Sequence, residues 1–309
     1  MMLSRLFIIG ALGASALAGC GDWVEYEGTR PAAEAPPPEQ VVDESFEDAY
    51  SEATRLDHLL FESVLTRHVT ASEDGQYTFV DYDGIRASEE ATFLLDQYVA
   101  TLDIVDPAKL ESFEERFAFW INAYNALVLK GVLDIYEGDA SYSVSDELFA
   151  FFSKRSFRAA GLVLSLDELE HVIVRGDREH SSAEALTADE LSTMLALHDQ
   201  LWDGRALDPR LHVAVNCASL GCPNLAPTAF RAADLEAQLA ERTRSFLASP
   251  EKGAGPDGVS SLFNWFAKDF SEGDYEGPED FIERWREGGA EGVRVDRFLD
   301  YDWSLNIVP

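Results

Sequence analysis

Of the three cysteines in the 309-residue chain, two lie in one stretch from Asp208 to Pro227, reading DPRLHVAVNCASLGCPNLAP. Cys217 and Cys222 there suit three kinds of chemistry. As a nucleophile, Cys217 must be thiolate. A free thiol titrates near ~8.5, so it needs a histidine or another cation close by. His212 and His171 are the candidates. As a structural pair, Cys217 and Cys222 would close a six-residue loop, contributing about 2 kcal/mol through loop-closure entropy and silencing both thiols. As metal ligands, Cys217, His171 and His212 would form a zinc donor set, although no closely spaced ligand pair announces one. The four-residue spacing is not the two of thioredoxin-like redox sites.

The elements around these residues decide which can meet. Leu211, Val213 and Val215 alternate with His212, Ala214 and Asn216, which predicts a short strand leading into an irregular turn at Ala218–Pro223. On a regular strand His212 and Cys217, five apart, face opposite sides, which favours His171 as the partner. Ser165 caps a predicted helix over 166–175, with Glu168 placed to complete a capping box. That helix sets Asp167 one turn before His171 and Glu170 beside it, and a neighbouring carboxylate can orient an imidazole and raise its pKa. Glu170 or Asn122 would then be the orienting member of a cysteine triad, in the manner of known cysteine hydrolases. Asn122 belongs to a long predicted helix over 108–135, opened by Asp106 and Pro107 and apolar almost all round from Phe117 to Leu133. Such a helix is buried. Asn122 and Asn125, three apart, lie on one side of it and need partners: backbone of a neighbouring strand or loop, or the Cys217 loop itself. Trp120 and Tyr124 read as core.

Four motifs in order carry a resemblance: AFWINAYNA over 118–126, SLDELEH over 165–171 continuing to Arg175, the cysteine stretch, and YDWSLN over 301–306. Together they resemble the bacterial and plant family called domain of unknown function 547, over about residues 52–309. Residues 260–270 resemble a further motif of that family. The resemblance implies a fold grouping and a set of suspect residues, and no substrate.

The chain opens with Arg5, an apolar run from Leu6 to Leu17, then Ala18, Gly19 and Cys20, which resembles a bacterial lipoprotein signal. The run is too short for a bilayer core that needs about 20 apolar residues, so cleavage before Cys20 and lipid attachment to it are expected. Gly21 in the next position resembles an outer-membrane address, with the domain periplasmic or surface-facing on the bacterial cell envelope. Residues 20–47, rich in proline and acidic side chains, read as a flexible tether that reaches on the order of 30 Å.

Twenty-four Lys and Arg stand against 57 Asp and Glu, a net charge of −33, which argues against nucleic acid and anionic membrane as partners. Glu73 to Gly84 lacks the carboxylate spacing of a calcium loop, and Glu73 to Gln76 reads as a turn into a strand. No Gly-x-Ser-x-Gly, His-Glu-x-x-His, Walker or Rossmann pattern occurs, and no cofactor is called for. The expectation is one mostly helical α+β domain with a small sheet over residues 48–309, behind a leader at 1–19. Two functions follow from different classes. One is cysteine-dependent hydrolysis or acyl transfer. The other is a non-enzymatic binding or scaffold lipoprotein, facing an envelope protein or small molecule, in which Asn122, Asn125, His171, Arg210, His212 and Asn216 form one buried polar network.

Overall fold

A computed structural model describes residues 58–136, Gly138 and residues 142–309. The expected leader, Cys20 and tether lie outside the described residues. The centre is the helix Phe113–Ile135. Ser112 caps it by accepting from the Glu115 N–H, and the Glu115 carboxylate accepts in return from the Ser112 N–H, a full capping box. The expected start at residue 108 is therefore five residues early: Asp106 and Pro107 open a separate 3₁₀ turn, Pro107–Lys109. Every residue from Arg116 to Leu129 is buried. Gly131 lets the rings of Phe151 and Phe157 lie against the helix, where an added Cβ would come within 2.8 Å of Phe157.

In chain order the helices are α1 (Leu59–His68), α2 (Tyr82–Ala87), α3 (Glu89–Ile104), α4 (the central Phe113–Ile135), α5 (Asp146–Ser153), α6 (Ser181–Glu184), α7 (Ala188–Trp202), α8 (Leu211–Ala214), α9 (Leu235–Leu247), α10 (Leu262–Trp265) and α11 (Pro278–Trp285). Glu168–Val174 widens into a π-helix between the fourth strand and α6. Helix α3 packs between α1 and α4, and the π-helix packs between α4 and α7. On α1, His58 at the N-cap is buried against the Tyr98 hydroxyl at 2.7 Å, while Leu59 beside it is exposed.

The strands form three separate antiparallel pairs in place of the one small sheet expected: β1 (Val69–Ala71) with β2 (Thr78–Val80), β3 (Phe157–Ala159) with β4 (Leu162–Leu164), and β5 (Ala254–Gly255) with β6 (Gly258–Val259). Glu73–Gln76 is the turn between the first pair. Ser249, Lys252 and Ala254 are buried at the β5–β6 hairpin. The last residues run as an extended strap. The Leu220 N–H donates to Ser304 O, Asn306 N–H to Ala218 O, and Val80 N–H to Asn306 O, so the strap ties the cysteine loop to β2. Among the described residues no helix is long and apolar enough to cross a membrane.

Two apolar clusters fill the interior. The larger surrounds α4; the smaller gathers Val213, Phe246, Val259, Phe263, Phe266, Phe270 and Phe281. Residues 211–225 contribute to both.

Candidate functional site

The expected strand at 211–215 is a helical turn. The Asp208 carboxylate accepts from the Arg210 N–H, and Leu211, His212 and Val213 N–H groups donate back to Asp208, Pro209 and Arg210 carbonyls. Leu211, His212, Val213 and Ala214 are all buried, so alternation carried no face information. With α8 helical, the objection that His212 and Cys217 face opposite ways falls. The chain straightens at Val215 and reaches Cys217 under several clamps. Asn125 on α4 accepts from the Asn216 N–H at 2.8 Å and donates to Ala214 O at 2.9 Å. Asn216 accepts from the Ala218 N–H at 3.0 Å and from Asn306 Nδ2 at 3.3 Å, while donating to Pro223 O. Ala218 sits at φ +64°, a left-handed conformation that costs a non-glycine residue about 1–2 kcal/mol and that this network holds in place. From the other side Lys252 Nζ donates to Cys222 O and Asn224 Oδ1. Burial pushes Lys252 down to about 8, against the pull of the Cys222 and Cys217 thiols.

Cys217 and Cys222 are both buried thiols, so the six-residue loop is not closed by a disulfide here. The Cys217 N–H instead donates to Cys222 Sγ at 3.0 Å. Cys217 Sγ lies 3.1 Å from Ser219 Oγ and 3.3 Å from Tyr301 Oη. Burial, with Cys217 as neighbour, pushes the Cys222 thiol well up.

Cys217 and Cys222 share a pocket with Tyr124, Glu170, His212, Val215, Pro223, Leu262 and Phe266, of about 10 Å³, room for about one water molecule. It lies at the seam of the two clusters. His212 stacks on Phe266 at 4.0 Å between centroids, and its Nε2 meets Asp269 Oδ2 at 2.8 Å. Asp269 also accepts from Arg175 Nε at 2.6 Å. Burial alone would raise Asp269, but the bonds and charges of His212 and Arg175 hold it far below the usual carboxylate range. Burial lowers His212, Asp269 resists and Arg175 adds to the fall. A neutral ring facing a carboxylate carries its proton on Nε2, which leaves Nδ1 as a bare acceptor. Nδ1 is buried and has no hydrogen-bond partner.

Glu170 and His171 come from the π-helix and Arg175 caps its end, the Arg175 N–H donating to Glu170 O five residues back. The Ser165 and Glu168 capping box expected for this segment forms. Burial raises Glu170 to about 7, although a hydrogen bond from Tyr124 and the Arg175 charge pull it down. His171 does not approach Cys217 as expected. Its Nδ1 contacts Arg175 Nη1, its ring stacks on His180 at 3.7 Å, and burial, His180 and Arg175 keep it neutral. Asn122 is also elsewhere: it donates to Phe230 O and accepts from the Phe230 N–H, the backbone role expected for a buried amide, and orients no histidine. The zinc donor set does not converge, since His171 is turned to Arg175 and His212 to Asp269. Among the described residues no group of three or more His, Cys, Asp or Glu side chains is arranged to hold a metal ion.

Residues 107–247 match the family described as protein of unknown function, DUF547. The chain carries a DUF547 domain. No curated protein and no solved structure matches the chain. Asn125, Glu170, Arg175, His212 and Cys217 lie within the DUF547 match, whereas Lys252, Asp269 and Tyr301, which complete the surroundings of His212 and Cys217, lie beyond it. Those three were not singled out from sequence as site residues. Asp269 had one signal: an acid between Phe266 and Phe270 in an aromatic segment is a buried carboxylate that must find a cation.

Proposed function

We propose that the DUF547 domain of this chain is a cysteine-dependent hydrolase or acyl transferase in which Cys217 is the nucleophile, His212 its base and Asp269 the group that fixes the His212 tautomer. The observation that carries this reading is the His212 ring: Nε2 is committed to Asp269, while Nδ1 is buried without a partner in a residue that lines the same pocket as Cys217. Nδ1 and the sulfur are not hydrogen-bonded here, and such contacts commonly close only around substrate. In the reaction His212 Nδ1 takes the thiol proton, the sulfur adds to an acyl carbon, and Asp269 steadies the imidazolium that results. The bond from the acyl carbon to its leaving group then breaks, the leaving group departs with a proton, and water or another acceptor releases the acyl group from the sulfur. The lipoprotein-like start adds an address to the proposal: a bacterial envelope protein held to a membrane through lipid on Cys20, which loss of acyl-lipid labelling in Cys20→Ser would check.

A second reading has its own observation. The amides of Asn122, Asn125 and Asn216 are spent on backbone groups, as expected of a binding or scaffold lipoprotein whose polar network is structural and whose cysteines pair in an oxidising compartment. Alkylation separates the two. With the full chain at pH 7, iodoacetamide modifies Cys217 ahead of Cys222, and His212→Ala slows this at least ~10-fold, the scale of a lost base. Modification of both thiols only after reduction or unfolding, at equal rates, would sink the nucleophile reading and leave the scaffold.

A further inference from the structure

We infer that Glu170 is a second catalytic residue of this pocket, the acid that protonates the leaving group, and that the substrate is therefore an amide or an alkyl ester, whose leaving group cannot depart without a proton. The inference rests on the cysteine-nucleophile reading above. Glu170 is 6 % exposed, lines the same pocket as Cys217 and His212, and is hydrogen-bonded to Tyr124 on α4. Its nearest guanidinium is spoken for: Arg175 makes its ion pairs with Asp269 at 2.6 Å and Asp177 at 3.4 Å. A carboxyl group buried without its own cation is stable in the neutral form, which is the form that can donate.

The need for a second acid comes from His212. Asp269, which must steady the imidazolium, is already bound by Arg175, so a charged His212 faces a cation across a shared carboxylate. A transfer that leaves the pocket's net charge unchanged is favoured in such a low-dielectric site. The Glu170 carboxyl provides it. The thiol proton passes to His212 Nδ1 as the sulfur–carbon bond forms. The carbon–nitrogen or carbon–oxygen bond then breaks as the leaving atom takes the Glu170 proton, so one positive and one negative charge appear together. In the second half Glu170 carboxylate takes a proton from water, hydroxide adds to the acyl carbon, the carbon–sulfur bond breaks, and the thiolate recovers its proton from His212. Acyl compound and water become acid and free amine or alcohol, and every group on the protein is restored.

The test compares two probes on the full chain, p-nitrophenyl acetate, whose leaving group needs no proton, and 7-acetamido-4-methylcoumarin, whose amine does. In Glu170→Gln, which keeps the shape and the contact with Tyr124, acylation of Cys217 by the ester stays within about 3-fold of wild type. Release of aminocoumarin falls at least ~100-fold, as for a lost general acid. In wild type the amide rate declines as pH rises past about 7, and that limb is absent from the variant. Tyr124→Phe, which removes a bond that lowers Glu170, moves the limb to higher pH and serves if Glu170→Gln does not fold. Equal slowing of both probes, or an unchanged amide rate, overturns the role of Glu170 while the nucleophile stands. Failure of both probes to acylate wild-type Cys217 overturns the nucleophile reading and this inference with it.

Discussion

Glu170 and Asp269 are both carboxylates in one buried site, and their surroundings drive them apart. Asp269 has the Arg175 guanidinium and the His212 Nε2–H as partners and stays ionised; Glu170 has a tyrosine and a guanidinium turned elsewhere, so burial raises it to about 7 from an ordinary 4.5. A stability signature follows. Between pH 4.5 and 7 the folded chain keeps the Glu170 proton while the unfolded chain has released it. The stabilisation from this group is thus complete below pH 4.5 and is lost as pH rises, by roughly 3 kcal/mol across the window. His171 and His212 act with the opposite sign, because burial keeps them neutral in the fold and they protonate on unfolding below about 6.5. Comparing wild type with Glu170→Gln removes the histidines' common share. Urea unfolding of both proteins should show wild type losing stability relative to the variant from pH 4.5 to 7. A difference that stays flat would mean that Glu170 is ionised in the fold.

At the scale of elements, the two asparagines of α4 have the same chemistry and different duties. Asn125 clamps Ala214 and Asn216, the entry to Cys217; Asn122 clamps Phe230, beyond the loop. Either change to Ala strands a buried donor and a buried acceptor at about 1–3 kcal/mol each, so both variants lose stability by denaturant titration. Only Asn125→Ala should also erase the preference of iodoacetamide for Cys217 over Cys222. Loss of that preference in Asn122→Ala as well would show that the two clamps act as one. Sequence made the burial of both amides legible, because a helix apolar all round leaves its polar exceptions facing inward. It did not make α8 legible: Leu211, Val213 and Val215 alternate, but where both faces are buried a period of two says nothing. The overlooked sign was Asp208–Pro209, the same pair of residue types that at Asp106–Pro107 opens the 3₁₀ turn Pro107–Lys109. The π-helix was closed to sequence reading, since Leu169, Val172, Ile173 and Val174 are apolar on every side and any helical period fits them. His171 was therefore placed toward the thiol when the widened turn gives it to Arg175 and His180.

At the scale of the molecule, the pocket depends on chain from outside the matched domain. The family match ends at Leu247, which is also the last residue of α9. Beyond it lie Asp269, which holds His212; Lys252, which holds the Cys222 carbonyl; and Tyr301, within 3.3 Å of the Cys217 sulfur. The smaller apolar cluster is built mainly from this later part, and Val213, Phe246 and Leu247 complete it from within the domain. A chain ending at Leu247 would expose those three side chains, at about 1.5–3 kcal/mol each for the larger ones, and would strand His212 Nε2 and the loop carbonyls. It would also lose the strap, with the Tyr82 hydroxyl bond to Asn306 and the backbone pairing to β2 and to Leu220. Since native stability is about 5–15 kcal/mol, these losses together are as large as the whole. The truncated chain is therefore expected to show no cooperative urea transition by circular dichroism and tryptophan fluorescence, and to label Cys217 and Cys222 at one rate. A sharp transition with selective labelling of Cys217 would make residues 248–309 an accessory and would reduce Asp269 from the group that fixes His212 to a bystander.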